Sequence, residues 1–185
     1  MTPSPFPLGA QTPHALILAT LAARLATPAY LEVGVSAGGS LFPVVEAAPT
    51  LQALILCDTW GPHHGGTNHG SHAHIDAGLD ARGYRGARTY LDGRSHETLP
   101  AYVAAHPAPI PLVHVDADHT EAGAYGDLQA VWPIVGGVLV VHDVFMPAVW
   151  RAVERWLRDQ VLRELVTVEV SMDTNGTAII WRGAR

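Results

Sequence analysis

The sequence predicts an α/β protein, a three-layer sandwich around a seven-stranded, mostly parallel sheet that ends in an antiparallel hairpin. Two observations predict this class. Short apolar runs alternate with segments of helical spacing along the 185 residues, which is the pattern of a parallel sheet covered by helices. The last two extended runs flank an Asp-Thr-Asn-Gly turn, a sequence typical of a β-hairpin. The length fits one domain, residues 1–185, with its own core.

The first five elements follow from prolines, glycines and apolar spacing. Early prolines predict an extended lead-in, and leucines and alanines at helical spacing then predict a helix that Pro28 ends. Two apolar runs predict strands, and the Gly-Gly pair between them opens a second helix. The predicted ranges are 1–13 for the lead-in, 14–26 and 39–48 for the helices, and 30–35 and 51–58 for the strands.

The rest of the chain continues the alternation. A segment rich in Gly and His over 59–76 predicts a long loop. Apolar runs beyond it predict three more parallel strands, and segments of helical spacing separate them. The predicted ranges are 75–82, 95–105, 121–131 and 149–161 for helices, 87–91, 110–115 and 137–142 for parallel strands, and 166–170 and 177–181 for the hairpin.

Composition excludes several classes of function. With 48% apolar and 15% charged residues, the chain has enough apolar surface to fold around a core. A net charge of -6 argues against a nucleic-acid partner, because phosphate binding needs clustered cations. The first residues lack the features of a signal peptide and no apolar run is long enough to span a bilayer, so we expect a cytoplasmic protein without a membrane partner.

The basic residues and the single cysteine exclude further chemistry. All 11 basic residues are arginine, which rules out Schiff-base lysines and the lysine of a P-loop. Cys57 is the only cysteine, so an internal disulfide and a zinc site of several cysteines are both excluded.

A glycine-rich turn follows the first predicted strand, in the segment Tyr-Leu-Glu-Val-Gly-Val-Ser-Ala-Gly-Gly-Ser over 30–40. Gly34 and Gly38 allow the backbone to turn tightly and approach a ligand, and the next helix begins with free N–H groups. The nicotinamide-cofactor pattern G-x-G-x-x-G fails here, because its third position is Ser36. Asp58 ends the second strand about 20 residues later, where a carboxylate can accept hydrogen bonds from ribose hydroxyls.

The spacing E-x-G-x-x-x-G, joined to Asp58, resembles that of class I S-adenosylmethionine-dependent methyltransferases. The resemblance implies a Rossmann-like sheet and S-adenosyl-L-methionine as cofactor. It places the amino-acid end of the cofactor near the glycine turn, the ribose on Asp58, and the adenine edge near the loop after the third strand. The implied cofactor-binding residues are Glu32, Gly34, Ser36, Gly38, Asp58, Asp92 and Ser95.

Five motifs in order narrow the resemblance to the small metal-dependent O-methyltransferases of sugars and natural products. They are Asp58-Thr-Trp60, His64-Gly-Gly66, His114-Val-Asp116-Ala-Asp118-His119, Trp132-Pro133 with Gly136-Gly137-Val138, and His142-Asp143. The resemblance implies one divalent cation (Mg, Mn, Fe or Zn) on Asp116, His142 and Asp143. Two carboxylates and an imidazole suit Mn²⁺, Fe²⁺ or Zn²⁺ better than Mg²⁺.

The same resemblance implies the reaction and its base. The expected activity is methyl transfer to a hydroxyl oxygen of a small molecule or sugar. His119 stands three residues after Asp116, where these relatives carry a catalytic Lys or His, so Asp116 and His119 are the candidate catalytic residues. An imidazole is well matched to accepting a proton near neutral pH.

Other readings of the same residues stay open. Asp143 could cap a loop while His142 packs, and His119 could cap the helix near Glu121. The fold could serve a non-catalytic, cofactor-binding regulatory or scaffold protein. The segment Gly34-Val-Ser36-Ala-Gly38 also spells the G-x-S-x-G elbow of α/β-hydrolases, but few residues and no strand precede it.

Two further features can be interpreted as either structural or functional. The histidines between His63 and His74 could clamp a transition metal, or the segment could be a lid beside the site. Trp150, Val153 and Trp156 lie near helical spacing and fit the core or a homo-oligomer contact rather than a substrate platform.

Overall fold

The computed structural model describes residues 12–61, 70–161, 166–172 and 175–183. Helices and strands alternate through these residues, and a single 3₁₀ turn, Trp132–Ile134, precedes the fifth strand. The helices are α1 (Pro13–Leu25), α2 (Leu41–Ala47), α3 (His72–Ala81), α4 (Ser95–Ala105), α5 (Glu121–Val131) and α6 (Pro147–Val161). The strands are β1 (Ala29–Val33), β2 (Ala53–Asp58), β3 (Ala87–Asp92), β4 (Ile110–Val115), β5 (Val135–Val141), β6 (Val166–Ser171) and β7 (Thr177–Arg182).

All seven strands form one sheet in the order β3-β2-β1-β4-β5-β7-β6. The first five strands are parallel, whereas β7 pairs antiparallel with both β5 and β6. The predicted fold class is therefore confirmed, including the C-terminal hairpin. Strand order reverses between β1 and β4, so the carboxyl ends of these two strands frame the crevice where ligands bind in such sheets.

Each face of the sheet carries its own apolar core. Alternate residues of β2 enter opposite cores: Ile55 and Cys57 face one, Leu54 and Leu56 the other, as the period of two in a β-strand requires. Helix α6 contributes Trp156, which is fully buried and meets Trp132 edge to face at 4.9 Å between ring centroids. These layers fix the strand ends that carry the polar side chains.

Several predicted boundaries shift by a few residues. Helix α3 begins at His72 rather than near Ile75, because the Ser71 side chain accepts a hydrogen bond from the backbone N–H of His74 and caps the helix. His72 and His74 therefore belong to a helix and not to the loop. The other predicted loop histidines lie in 62–69, outside the described residues, as do the first eleven residues of the predicted lead-in.

The tryptophans of α6 divide between core and surface. Val153 and Trp156 are buried as predicted for the core, whereas Trp150 is 41% exposed. Trp150 is therefore not a core residue, and its role in an oligomer contact stays a prediction. None of the helices in the described part of the chain has the length and apolarity needed to cross a bilayer.

Asp127 on α5 is buried, and this generates a prediction for stability. Burial raises its pKa to about 6, and the charge of Asp118 adds to the effect. Between roughly pH 4 and 6 the folded protein holds a proton that the unfolded chain releases, so the free energy of unfolding falls as pH rises. We expect Asp127→Asn to remove this loss and to stabilise the protein at pH 7.5 by on the order of 2 kcal/mol.

Urea unfolding of both proteins at pH 4 and pH 7.5 measures the difference. Asp159→Asn on α6 is the control, since Asp159 is exposed and an amide oxygen can still accept the hydrogen bond from Tyr125. A variant that is equally destabilised at both pH values would show that the Asp127 carboxylate is required for packing.

Candidate functional site

A cleft of about 330 Å³ opens at the carboxyl ends of the parallel strands. The loops after β1, β2, β3, β4 and β5 all contribute to its walls. Eight of the sequence-predicted site residues line it: Gly34, Ser36, Asp58, Ser95, Asp116, His119, His142 and Asp143. Its volume lies at the lower end of the roughly 300–1,000 Å³ of small-molecule sites.

The turn after β1 requires glycine because the backbone approaches another loop closely. Gly34 has φ of 90°, and a Cβ there would lie 2.0 Å from the carbonyl oxygen of Asp116. Gly38 has φ of 81°, and its Cβ would meet the Phe42 ring at 2.7 Å. Gly34 therefore joins the ends of β1 and β4, whereas Gly38 lets α2 pack.

Asp58 binds the glycine turn itself. Its Oδ2 accepts hydrogen bonds from the backbone N–H groups of Val35 and Ser36, each at 2.8 Å, and its Oδ1 accepts one from Trp60 at 2.8 Å. Ser36 is held with φ of 50°, a left-handed conformation that side chains seldom adopt. The sequence pattern predicts a ribose acceptor at Asp58, and the structure adds a role in fixing the turn.

Glu32 lies beneath the cleft rather than on its wall. It is fully buried, accepts a hydrogen bond from the Ser40 hydroxyl, and lies 3.2 Å from Nδ1 of His114. His114 is also fully buried. A direct contact of Glu32 with a cofactor stays a prediction, since the contacts of its carboxylate here are with Ser40 and His114.

The two predicted cofactor-binding residues at the end of β3 and in the loop after it, Asp92 and Ser95, also differ in their position relative to the cleft. Ser95 lines the cleft, whereas the exposed Asp92 accepts a hydrogen bond from the Trp60 indole at 3.0 Å and lies 2.8 Å from Nε2 of His72. The His72 ring stacks on Tyr90 at 4.0 Å. Asp92 thus holds a small aromatic cluster on the outer side of the cleft, and its predicted contact with adenine remains a prediction.

The loops after β4 and β5 bring two carboxylates and two imidazoles together. Nε2 of His119 lies 3.4 Å from Oδ1 of Asp116 and 3.1 Å from Oδ2 of Asp143. Nδ1 of His142 lies 3.2 Å from Oδ2 of Asp116 and 3.3 Å from Oδ1 of Asp143. The four residues predicted as catalytic or metal-binding therefore form one cluster. The cap of α5 is the Thr120 side chain and not His119.

The contacts within this cluster shift the pKa values of Asp116 and His119. Burial raises the pKa of Asp116, but hydrogen bonds with His119 and His142 outweigh burial and hold it well below its usual range. The pKa of His119 is raised, chiefly by its hydrogen bond with Asp116 and further by the charges of Asp116, Asp143 and Asp118, against the opposing effect of burial. Asp116 is thus a carboxylate at neutral pH beside an imidazole of increased basicity.

Burial makes Cys57, the only cysteine of the sequence, unsuited to act as a nucleophile. Cys57 lines the cleft, but burial raises its pKa to about 11 despite a hydrogen bond with Thr98. A thiol with that pKa stays protonated at neutral pH and is a poor nucleophile.

A third imidazole, His14, joins the cluster from the start of α1. Its ring lies 3.9 Å from that of His142 between centroids, tilted by 36°. Sequence reasoning missed His14 because no motif surrounds it. The signal lies in the topology: α1 leads into the amino end of β1, so the first turn of α1 lies at the opposite, carboxyl edge of the sheet.

Known structures share this architecture at low sequence identity. The O-methyltransferase from Bacillus cereus, solved in complex with SAH, superposes with a TM-score of 0.70 at 12% identity over 96% of this chain and 84% of that one. The O-methyltransferase TomG from Streptomyces achromogenes, involved in tomaymycin synthesis and solved in complex with SAM, gives 0.69 at 20% identity over 93% and 80%.

A third structure, a TDP-rhamnose 3'-O-methyltransferase of calicheamicin biosynthesis in its apo form, gives a TM-score of 0.66 at 17% identity over 98% of this chain and 89% of that one. None of the curated proteins matches the sequence. The family model described as a methyltransferase domain matches residues 31–144, which contain the glycine turn, Asp58, and the clustered carboxylates and imidazoles of β4 and β5. With more than half of its residues matched by this model, the chain belongs to the methyltransferase-domain family.

Proposed function

We propose that the protein is an S-adenosylmethionine-dependent methyltransferase acting on a hydroxyl oxygen of a small molecule or sugar. The observation that carries this proposal is the meeting of a glycine turn and an Asp-His cluster in one cleft, with Gly34 packed on the backbone of Asp116. The similar structures support the same activity: they are O-methyltransferases, and one of them is a TDP-rhamnose 3'-O-methyltransferase.

The residues present fit this cofactor. Gly34 and Ser36 of the turn after β1 line the cleft, and the missing side chain at Gly34 lets this turn pack on the backbone of Asp116. Asp58 fixes the neighbouring amides, and Ser95 closes the far side of the cleft. We assign the cofactor to this side. When bound, it supplies a sulfonium-activated methyl group, so the work left to the protein is alignment of the acceptor.

His119 is the base in this proposal. Its Nε2–H donates to the carboxylates of Asp116 and Asp143, so Nδ1 is the nitrogen that takes the proton from the acceptor hydroxyl, and the two carboxylates stabilise the imidazolium that results. These contacts also hold the ring at the cleft wall, so the base faces the acceptor in a fixed orientation.

Asp116, His142 and Asp143 would hold a divalent cation next to the acceptor. Their donor atoms suit this role, because two carboxylates and an imidazole converge from two adjacent strand ends. Asp143 has φ of 57°, and its two carboxylate oxygens lie 3.1 Å from Nε2 of His119 and 3.3 Å from Nδ1 of His142. A bound cation would act as a Lewis acid that lowers the pKa of the acceptor hydroxyl.

The alternatives have less support. A hydrolase that uses Ser36 belongs to another class than the family matched. A non-catalytic, cofactor-binding protein has no need of an imidazole of raised pKa between two carboxylates in the cleft.

The cofactor assignment predicts that Asp58→Asn weakens S-adenosylmethionine binding at least about tenfold. Loss of one charge-assisted hydrogen bond costs about 1.5–3 kcal/mol. In the variant, the side-chain NH₂ would also face backbone N–H groups that now donate to the Asp58 carboxylate. Isothermal titration calorimetry measures the affinity. Asp92→Asn, at the paired position of β3, should have a smaller effect. Unchanged affinity in Asp58→Asn would contradict the assignment.

The base assignment predicts that His119→Ala slows methyl transfer about 10²–10⁴-fold. Release of S-adenosylhomocysteine, with an acceptor selected from sugar and aromatic hydroxyls, measures the rate. Affinity for S-adenosylmethionine should stay intact, and His106→Ala on the distant end of α4 should leave the rate unchanged. In the metal-free protein, the pKa of His119 followed by NMR should lie above that of free histidine, because Asp116 and Asp143 stabilise the imidazolium. A variant within a few-fold of wild type would assign His119 a structural role.

The cation assignment predicts that a chelator abolishes transfer while affinity for S-adenosylmethionine stays nearly constant, because the cation would contact the acceptor and not the cofactor. Transfer assays and calorimetry on chelator-treated protein, with transfer restored by excess Mn²⁺ or Zn²⁺, provide the measurement. Full turnover in excess chelator would point to a metal-free reaction that depends on His119 alone.

A further inference from the structure

Helix α1 adds a nitrogen donor to the cation site. The ligand atoms of His14, Asp116 and His142 all lie within 4.8 Å of one another. Three separate elements supply them: the first turn of α1, the end of β4 and the end of β5. His14 and His142 are ring neighbours at 3.9 Å, and Nδ1 of His142 is 3.2 Å from Oδ2 of Asp116. Donors this close can move onto one ion with small side-chain rotations.

We propose that His14 is a metal ligand and that, with Asp116 and His142, it binds one divalent transition-metal ion. The inference rests on the cation assignment of the proposed function and extends it to a residue outside the family match, which begins at residue 31. Two imidazoles and one carboxylate favour Zn²⁺, Fe²⁺ or Co²⁺, whereas Mg²⁺ prefers oxygen ligands. His14 therefore determines which metal the site selects.

This set of ligands leaves His119 free of the metal. Asp116 presents Oδ2 to His142 and Oδ1 to His119, so a metal on the His14 side lies across the carboxylate from the base. A second group, Asp116, His119 and Asp143, also lies within 4.8 Å, but metal binding there would consume the lone pair that His119 needs as a base. Asp143, the remaining residue of the cation assignment, lies 3.3 Å from Nδ1 of His142 and would complete the ligand set of the same ion.

The ligand set also connects α1 to the sheet. Helix α1 packs against α2 and β4, and its first turn would become bonded through the metal to the ends of β4 and β5. Binding to the folded protein alone raises its stability. The metal should therefore stabilise the wild type by an amount that depends on His14.

The experiment uses Co²⁺ as the probe, because its visible absorption reports the number and type of ligands. Chelator-treated full-length wild type, His14→Ala, His142→Ala and the control His106→Ala are titrated with Co²⁺, followed by absorption and by the shift in melting temperature. The His142→Ala titration gives the background from histidines elsewhere in the chain. Circular dichroism and S-adenosylmethionine affinity show whether each variant is folded.

We expect His14→Ala to weaken Co²⁺ binding by more than the about 10- to 100-fold typical of changes outside the ligand shell, and to lose the thermal shift. His14→Asp should keep binding but increase the affinity for Mn²⁺ relative to Co²⁺, since it replaces nitrogen by oxygen. A folded His14→Ala with the wild-type Co²⁺ spectrum and affinity would overturn the role of His14 while leaving a metal on Asp116, His142 and Asp143. A wild type that binds S-adenosylmethionine but no Co²⁺ above the His142→Ala background would overturn both metal assignments, and a wild type that binds no S-adenosylmethionine would instead refute the proposed function.

Discussion

The carboxylate of Asp58 is the interaction on which the rest of the site depends. It ends β2 and accepts three backbone N–H groups, two from the turn after β1 and one from its own loop. Those amides belong to a turn with Ser36 in the left-handed region, which would relax without a charged acceptor. Because Gly34 then packs on the Asp116 carbonyl, the position of the turn also sets the position of the loop after β4.

Two groups of carboxylates and imidazoles lie on the two sides of that turn, and they differ in their surroundings. Below it, Glu32 and His114 are both fully buried and lie 3.2 Å apart, where a charge is tolerated only with a partner. Above it, Asp116, His119, His142 and Asp143 are arranged as alternating carboxylates and imidazoles in an open cleft. The buried pair links β1 to β4, whereas the cluster lines the cleft that an acceptor or a metal would enter.

The fold was predictable from the sequence because apolar strands and amphipathic helices alternate with different periods, and the hairpin has its own turn signal. The convergence of Asp116 with His142 and Asp143 was predictable too, since adjacent parallel strands end at one edge. Glu32 shows what the pattern leaves out: its position in the motif implies a ligand contact, but burial is set by Ser40 and His114, residues 8 and 82 positions away. The start of α3 likewise depends on one hydrogen bond, from the backbone N–H of His74 to the Ser71 hydroxyl.

His14 also shows a limit of prediction from sequence: it lies in the site although no motif marks it. A histidine after a run of prolines has no local signal of function, and its meeting with His142 depends on where α1, a helix of 13 residues, begins relative to the sheet. The topology does constrain it, because a helix that leads into the first parallel strand must begin beside the carboxyl edge. Helix α1, which precedes the glycine turn, is therefore placed beside the ends of β4 and β5, in the opposite half of the cleft. In this fold, the preceding helix can alter the donor set of the proposed cation site while the glycine turn and Asp58 stay unchanged.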